Sequence, residues 1–466
     1  MPPTQSAESR EMPSLPNLNL KLPKVNGKLN FGSRSGADVV GLDIQPGFAV
    51  AVRARVNGSI LAERAACLPL AADTVREGEV MDQGALSEVL RELFASRGLS
   101  KRVRVGVANQ RTVMRTLELP PVTDRKELAA AVSFQAQDQV PMPLNNAVLD
   151  FHPLGIVETP GGPRQRVVLV AAQRDMVEHL LGAVRGAGLQ PMGIDLSAFA
   201  LIRALYRPEP DSDSDPESVG RVVYLNVDGL TNLAIAEGTI CRFTRVVGGG
   251  LEGMAGELAE RLSIPLPDAR TLLMAVDLNA PLAVEQAPVA FEEMAPQTPA
   301  PEWPSSAEAM LGDAPEEVVS GEQSVPSLET PVAPEEHDAL EHAMSFTEMS
   351  AAEHAPTAEV PQGSPETPDH GADARTVLEN GVREISGEVR NSLDFHRSQD
   401  GGGEVSHVVL SGSALDVPGF AEALQGHLGL EVRTEDVALA DESSAGTVSP
   451  HRLTVAAGLA TEGVQQ

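Results

Sequence analysis

Two aspartates stand where apolar runs end in turns. Val39 to Ile44 carries Asp43, turns at Pro46 and Gly47, and returns as Phe48 to Val52. Arg221 to Val227 is also apolar, turns at Asp228 and Gly229, and returns from Asn232 to Glu237. Each reads as a β-hairpin with one acid at its mouth. Two such hairpins facing one cleft could hold Mg²⁺ through water at Asp43 and Asp228. They could also orient an attacking water and offer turn amides to phosphate. A plain β-turn selects the same residues, because aspartate bonds its neighbouring backbone there.

The elements that would position these acids occur twice. After Val39, the alternation of Ala49 to Val56, the Asn57-Gly58 turn and the stretch Ser59 to Leu70 predict two further strands. Leu86, Val89, Leu90, Leu93 and Phe94 then mark one face of a helix capped by Gly98, and Val103, Val105 and Val107 alternate as a strand. After an acidic Ser/Pro spacer at 211–217 the pattern recurs: Val222 to Val227, Asn232 to Glu237 and Thr239 to Val247, then a helix from Leu251. This duplication predicts two related α/β domains.

Between the two lies a different unit. Arg111 to Leu119, Val148 to Leu154 and Val167 to Ala171 read as strands, with capping boxes at Asp124 to Glu127 and Asp175 to Glu178 opening helices. Ser197 to Tyr206 reads as a helix bridging the domains. Later, Pro265 and Pro267 are expected to end a helix, and Asp268 to cap a short one. Leu378, Val382, Ile385, Val389 and Leu393 mark a long helix. Val405 to Leu410 follows as a strand, with helices at Phe420 to Leu428 and Thr454 to Ala460.

At 466 residues the chain can bury more than one core, and its net charge of −31 disfavours nucleic acid and anionic membrane surfaces as partners. The segment 281–374 holds 20 acidic residues, 14 prolines and no Lys or Arg, so it is expected to be a disordered insert that resumes order near Ala374. Its histidines, His370 among them, read as solvated. Met1 to Gly36 reads as a flexible tail without a secretory pattern. Two isolated cysteines and no apolar run near ~18 residues fit a cytoplasmic protein without membrane insertion.

Other motifs are weak. Gly248 to Gly253 matches GxGxxG, but no acid ends a second strand about 20 residues on, so these read as glycines at a helix start. GxxxxGK[ST], HExxH and GxSxG are absent.

Four stretches resemble the PilM family of type IV pilus assembly, itself similar to the division protein FtsA. Gly41 to Ile44 resembles a first phosphate motif. Leu117 to Pro120, with Val140 to Pro143 and Asp150-Phe151, is similar to the family's inserted SHS2-like subdomain. Glu388 to Phe395 with Arg397 to Gln399 is the most specific stretch. Leu410 to Ala414 with Pro418 to Phe420 resembles an adenosine motif.

The resemblance implies a duplicated actin-like (ribonuclease H-like) α/β fold with an SHS2-like α+β insertion. It implies a tail at 1–37 and domain I at 38–110, returning at 191–210. The inserted subdomain would span 111–190, and domain II 220–280 and 375–445, interrupted by the insert at 281–374. A C-terminal helix in 446–466 would return to domain I.

It further implies a scaffold at the inner face of the cytoplasmic membrane. That scaffold would bind the N-terminal cytoplasmic tail of a PilN-like membrane protein and, indirectly, the pilus assembly ATPase. The tail would lie in a groove between the first domain and the inserted subdomain. ATP with Mg²⁺ would sit between the domains, with Asp43 and Asp228 as metal-holding, catalytic acids. Nucleotide contacts would come from Gly41, Gln45, Gly47, Asn226, Gly229, Thr231, Gly249, Arg390, Gly412 and Ser413. The alternatives are an active ATPase or small-molecule kinase of the superfamily, and an FtsA-like filament former.

The sequence departs from the family at this site. The first loop is Gln45 to Phe48 rather than Gly/Ser-rich, and Val50 takes the place of a lysine. Asn226 stands where an aspartate is usual, and Ser413 and Ala414 replace consecutive glycines. Added side chains narrow the space where backbone must approach phosphate, so weak or absent hydrolysis is expected.

Overall fold

A computed structural model describes residues 39–207, 220–281, 370–399, 402–441, 443–446 and 448–461. The predicted tail, the spacer at 211–217 and the acidic insert between 282 and 369 lie outside these residues.

The first lobe opens with β1 (Val40–Gln45), β2 (Phe48–Asn57) and β3 (Ser59–Pro69). A small ribbon, β4 (Val75–Arg76) and β5 (Glu79–Val80), precedes α1 (Gln83–Arg97) and β6 (Arg102–Val107). Gly98 closes α1 in the left-handed conformation at φ 59°, which a residue without Cβ adopts freely. A separate sheet follows: β7 (Thr112–Leu119), α2 (Arg125–Gln139), β8 (Ala147–Thr159) and β9 (Gly162–Gln173), with strand order β7-β9-β8. The chain then returns through α3 (Arg174–Gly186), β10 (Gln190–Leu196) and α4 (Ser197–Leu205).

The second lobe repeats the plan with β11 (Arg221–Val227), β12 (Thr231–Glu237), β13 (Ile240–Val247), α5 (Leu251–Leu262), α6 (Leu266–Met274), α7 (His370–Ser398), β14 (Val405–Ser411), α8 (Phe420–Leu428) and β15 (Val432–Thr434). A short β16 (Ala438–Leu439) and α9 (Thr454–Ala460) end the described chain.

The two main sheets share one topology. In the first, β1 pairs antiparallel with β2 and β2 with β3, while β6 and β10 add in parallel on the other side of β1. In the second, β11, β12 and β13 form the antiparallel half, and β14 and β15 add in parallel. The predicted duplication is therefore real, and it is the duplicated actin-like arrangement. The first sheet alone gains β16, parallel on the edge of β3. Parallel central strands buried on both faces explain why β1 and β11 read as nearly continuous apolar runs.

Helix α4 lies between the sheets: Ala198 to Leu205 pack in one core with Val50 and Val52 of β2 and with Ala234 and Ala236 of β12. Helix α9 shares that core and lies on β1, where a Cβ at Gly41 would stand 1.8 Å from the Ala456 carbonyl oxygen.

Several local expectations are corrected. Asp124 caps α2, accepting from the Lys126 and Glu127 amides, but the second capping box does not form. Helix α3 starts at Arg174 behind Gln173, and Asp175 accepts only from the next amide, Met176. By packing, α3 belongs to the first lobe, sharing its core with α1, so the inserted unit expected over 111–190 has its own core in β7 to β9. Helix α5 ends at Ser263 before the prolines, and Pro267 lies in the first turn of α6, where its missing amide costs nothing. Helix α7 begins at His370, inside the expected insert, and Asp373 there pairs with Arg261 at 2.8 Å. The hairpin β8–β9 extends well beyond the predicted strands, to Thr159 and Gly162.

Candidate functional site

The turns after β1 and β11 meet. A Cβ added at Gly229 would lie 2.2 Å from the Pro46 carbonyl oxygen, so only glycine fits between the two turns. Asp43 and Asp228 lie behind this contact, each 2% exposed. The pair arises from topology: β1 and β11 hold equivalent places in two equivalent sheets, and each ends at the same cleft.

Both acids are enclosed by bonds from their own surroundings. Gln45, itself buried, donates its side-chain amide to both Asp43 oxygens at 3.2 Å. Its carbonyl accepts a long, 3.4 Å bond from the Leu230 amide across the cleft. Asn226 donates to one oxygen of Asp228 at 2.9 Å. The Ser413 amide and hydroxyl donate to the other, at 2.7 and 2.6 Å. Ser411 in turn donates to the Asn226 carbonyl at 3.2 Å, as the register Asn226↔Ser411 between β11 and β14 requires. Burial foremost, and then the charge of Asp228, push the Asp43 carboxyl up to about 7 from an ordinary 3.8; the Gln45 bond pulls the other way.

The glycines after β13 are close-approach residues at a helix start. Gly250 is extended and caps α5, and a Cβ there would meet the Gly229 and Asp228 carbonyls at 2.5 and 2.8 Å. The Leu251 amide donates to the Asp228 carbonyl at 2.8 Å, and Thr231 bonds the Gly249 carbonyl. This geometry excludes the dinucleotide reading of Gly248 to Gly253.

Most of the anticipated residues converge: Asp43, Gln45 and Gly47 from the first lobe, and Asn226, Asp228, Gly229, Thr231, Gly249, Gly412 and Ser413 from the second. Two do not take the expected role. Arg390 lies on α7 and donates to the His427 carbonyl at the end of α8. Gly41 serves the packing of α9 on β1.

Two residues missed in the sequence stand at the site. Glu252, in the first turn of α5, pairs with Arg270 of α6, and its carboxylate lies 2.5 Å from where a Cβ of Gly47 would be. The acid at the second helical position was the available signal, because acids collect at helix starts.

Two cavities open at the lobe junction. One, about 180 Å³, lies by the turns, touching Gly47, Gly229, Glu252, Arg270, Ser413 and Arg452. Arg452 stacks over the Phe48 ring at 4.8 Å. The other, about 740 Å³, lies between the end of β6, the start of β7, β13 and α7. Four consecutive residues of β7 and five of β13 line it. Neighbouring residues of a strand point to opposite faces, so such runs mean that both strands present edges that no other described strand pairs with. Asn232 lines this cavity, 2% exposed, and its amide nitrogen has no partner among the described residues. Phe243 and Phe395 also line it, their rings 5.8 Å apart, and Arg245 pairs with Glu388 at 2.8 Å.

The residues at the turns do not fit a magnesium nucleotide. Asp43, Asp228, the Leu230 and Ser413 amides and Arg270 already have internal partners, Glu252 adds negative charge, and 180 Å³ falls below the roughly 300 Å³ of small-ligand pockets.

Among known proteins, residues 41–249 match the family described as type IV pilus assembly protein PilM. A solved PilM–PilN type IV pilus biogenesis complex is similar over 91% of this chain and 98% of that one, at 19% identity and a TM-score of 0.61. The ethanolamine utilization protein EutJ from Carboxydothermus hydrogenoformans matches at 12% identity over 90% and 88% of the chains (TM-score 0.41). MreB5 of Spiroplasma citri bound to ADP matches at 10% identity over 90% and 94% (TM-score 0.40). The PilM–PilN likeness and the duplicated sheet topology agree on an actin-like fold, and over residues 41–249 the chain is similar to the PilM family.

Proposed function

We propose that the protein is a scaffold of type IV pilus assembly that captures the N-terminal tail of a PilN-like membrane protein in the 740 Å³ groove. One observation carries the reading: the groove is bordered by two strand edges, β7 and β13, left unpaired among the described residues. That is the surface an extended peptide joins through main-chain hydrogen bonds, with side-chain pockets giving specificity. The likeness to a PilM–PilN complex supports it. So does the position of the most family-specific stretch, whose Glu388 and Phe395 face the groove. The unpartnered Asn232 amide offers one hydrogen-bond donor inside it.

No described helix is long and apolar enough to cross a membrane. In this reading the chain is held at the inner face of the cytoplasmic membrane through its partner. The scaffold binds, orients and transmits position; no covalent step is assigned to it.

The test is fluorescence anisotropy with a labelled peptide of the PilN-like tail. Phe395 is 54% exposed, so Phe395→Ala removes an aromatic anchor at small cost to folding. Affinity is expected to fall at least about tenfold with an unchanged melting temperature. Unchanged affinity would exclude this groove.

A further inference from the structure

We infer that the interlobe cleft is closed by the chain's own side chains, and that the two lobes stay together with no nucleotide between them. The inference rests on the actin-like fold and the turn geometry, and not on the peptide reading above.

Gln45 is the centre of the closure. It stands in the first phosphate loop, is 1% exposed, and spans the cleft. Its amide group lies on the Asp43 carboxylate and its carbonyl takes the Leu230 amide of the second turn. A phosphate would need that backbone amide, and a water-held cation would need that carboxylate. One neutral side chain occupies both.

The second lobe is closed in the same way. Asp228 receives three hydrogen bonds on its two oxygens, from Asn226 and from the amide and hydroxyl of Ser413. The Ser413 amide belongs to the loop that begins at Gly412, whose φ of 103° lets it turn against the Val227 backbone. The loop resembling an adenosine motif thus directs its Ser413 amide at the chain's own acid.

Charge completes the argument. The group facing Gly47 is the Glu252 carboxylate, held by Arg270. The anion at the phosphate turn is therefore built in, and a second anion there would meet like charge and find Arg270 engaged, leaving Arg452, stacked on Phe48, as the other cation lining the small cavity. The backbone contact between Pro46 and Gly229 leaves no gap between the turns for a phosphoryl group.

The experiment uses the full-length protein. Isothermal titration calorimetry with magnesium ATP at millimolar concentration is expected to show no saturable heat, and thermal melts no rise with magnesium ATP. Anisotropy of the PilN-tail peptide on the same preparation is expected to be unaffected by it. Gln45→Asn, too short to span the cleft, is expected to lower the melting temperature by several degrees. Gln45→Ala is expected to lower it further; if that variant does not fold, Gln45→Asn decides alone. Saturable binding of magnesium ATP by the unaltered protein overturns the inference. Absent binding with a Gln45→Asn protein as stable as the parent also overturns it, because Gln45 is then no latch. Failure of the peptide to bind would count against the groove and leave this result standing.

Discussion

The Pro46 carbonyl oxygen and the Gly229 α-carbon are in direct contact across the lobes, with 2.2 Å between that oxygen and the place a Cβ would take. Gly229→Ala must push the turns apart. It is expected to cost about 1–3 kcal/mol, the usual range for overpacking, read by chemical denaturation. Gly426→Ala, in α8 with nothing within 4 Å of the new methyl, is the control. It is expected to stabilise by about 0.5–1 kcal/mol through helix propensity.

Asp43 gives the protein an inverted acid response. Its folded value of about 7 lies above the ordinary 3.8. Below both values the carboxyl is protonated in either state and costs nothing. As pH rises from 3.8 towards 7 the unfolded chain loses its proton first, so stability falls, by up to about 1.4 kcal/mol per pH unit. Above 7 the loss is complete. Asp43→Asn, which carries no charge, is expected to be more stable than the parent at pH 8 and to converge with it near pH 4. Denaturation midpoints at the two values check this, and equal differences at both would contradict it.

Restoring the family's aspartate at Asn226 is expected to harm this protein. Asn226 donates to Asp228 at 2.9 Å in a site excluded from water. Asn226→Asp turns that bond into a contact between carboxylates and should cost about 1–3 kcal/mol near neutral pH. The cost should shrink in acid, as the new carboxyl takes a proton. Thermal melts across pH resolve the two regimes, and the variant is expected to gain no magnesium ATP binding.

Glu252 and Arg270 are expected to be coupled. Their side chains are 20% and 25% exposed, so removing one leaves a partly buried charge beside Gly47. Arg270→Ala alone should destabilise by about 1–3 kcal/mol. The double change, Glu252→Ala with Arg270→Ala, should cost less than the sum of the single changes. Additive effects in the cycle would mean the pair contributes nothing to the closed cleft.

Much of this architecture is local in origin and therefore legible in the residues. Apolar runs ending in Asp43 and Asp228 specify strands and turns within a few residues. The recurrence of the same run-turn-run order marks the duplication, and the spacing from Leu378 to Leu393 specifies α7. Family resemblance at Glu388 to Phe395 located a stretch whose two end residues, Glu388 and Phe395, line the groove. The tertiary structure decided which partner each group finds. Asp228 and Ser413 lie 185 residues apart, and only the parallel pairing of β11 with β14 brings them together. Arg390 faces α8 rather than the cleft, because the face a helical residue presents depends on what the helix lies against. Glu252 reaches Gly47 only because α5 starts on the second turn while that turn rests on the first. Periodicity carries information over three or four residues; a closed cleft is a relation among segments hundreds of residues apart, and it is set by sheet register and close backbone approach.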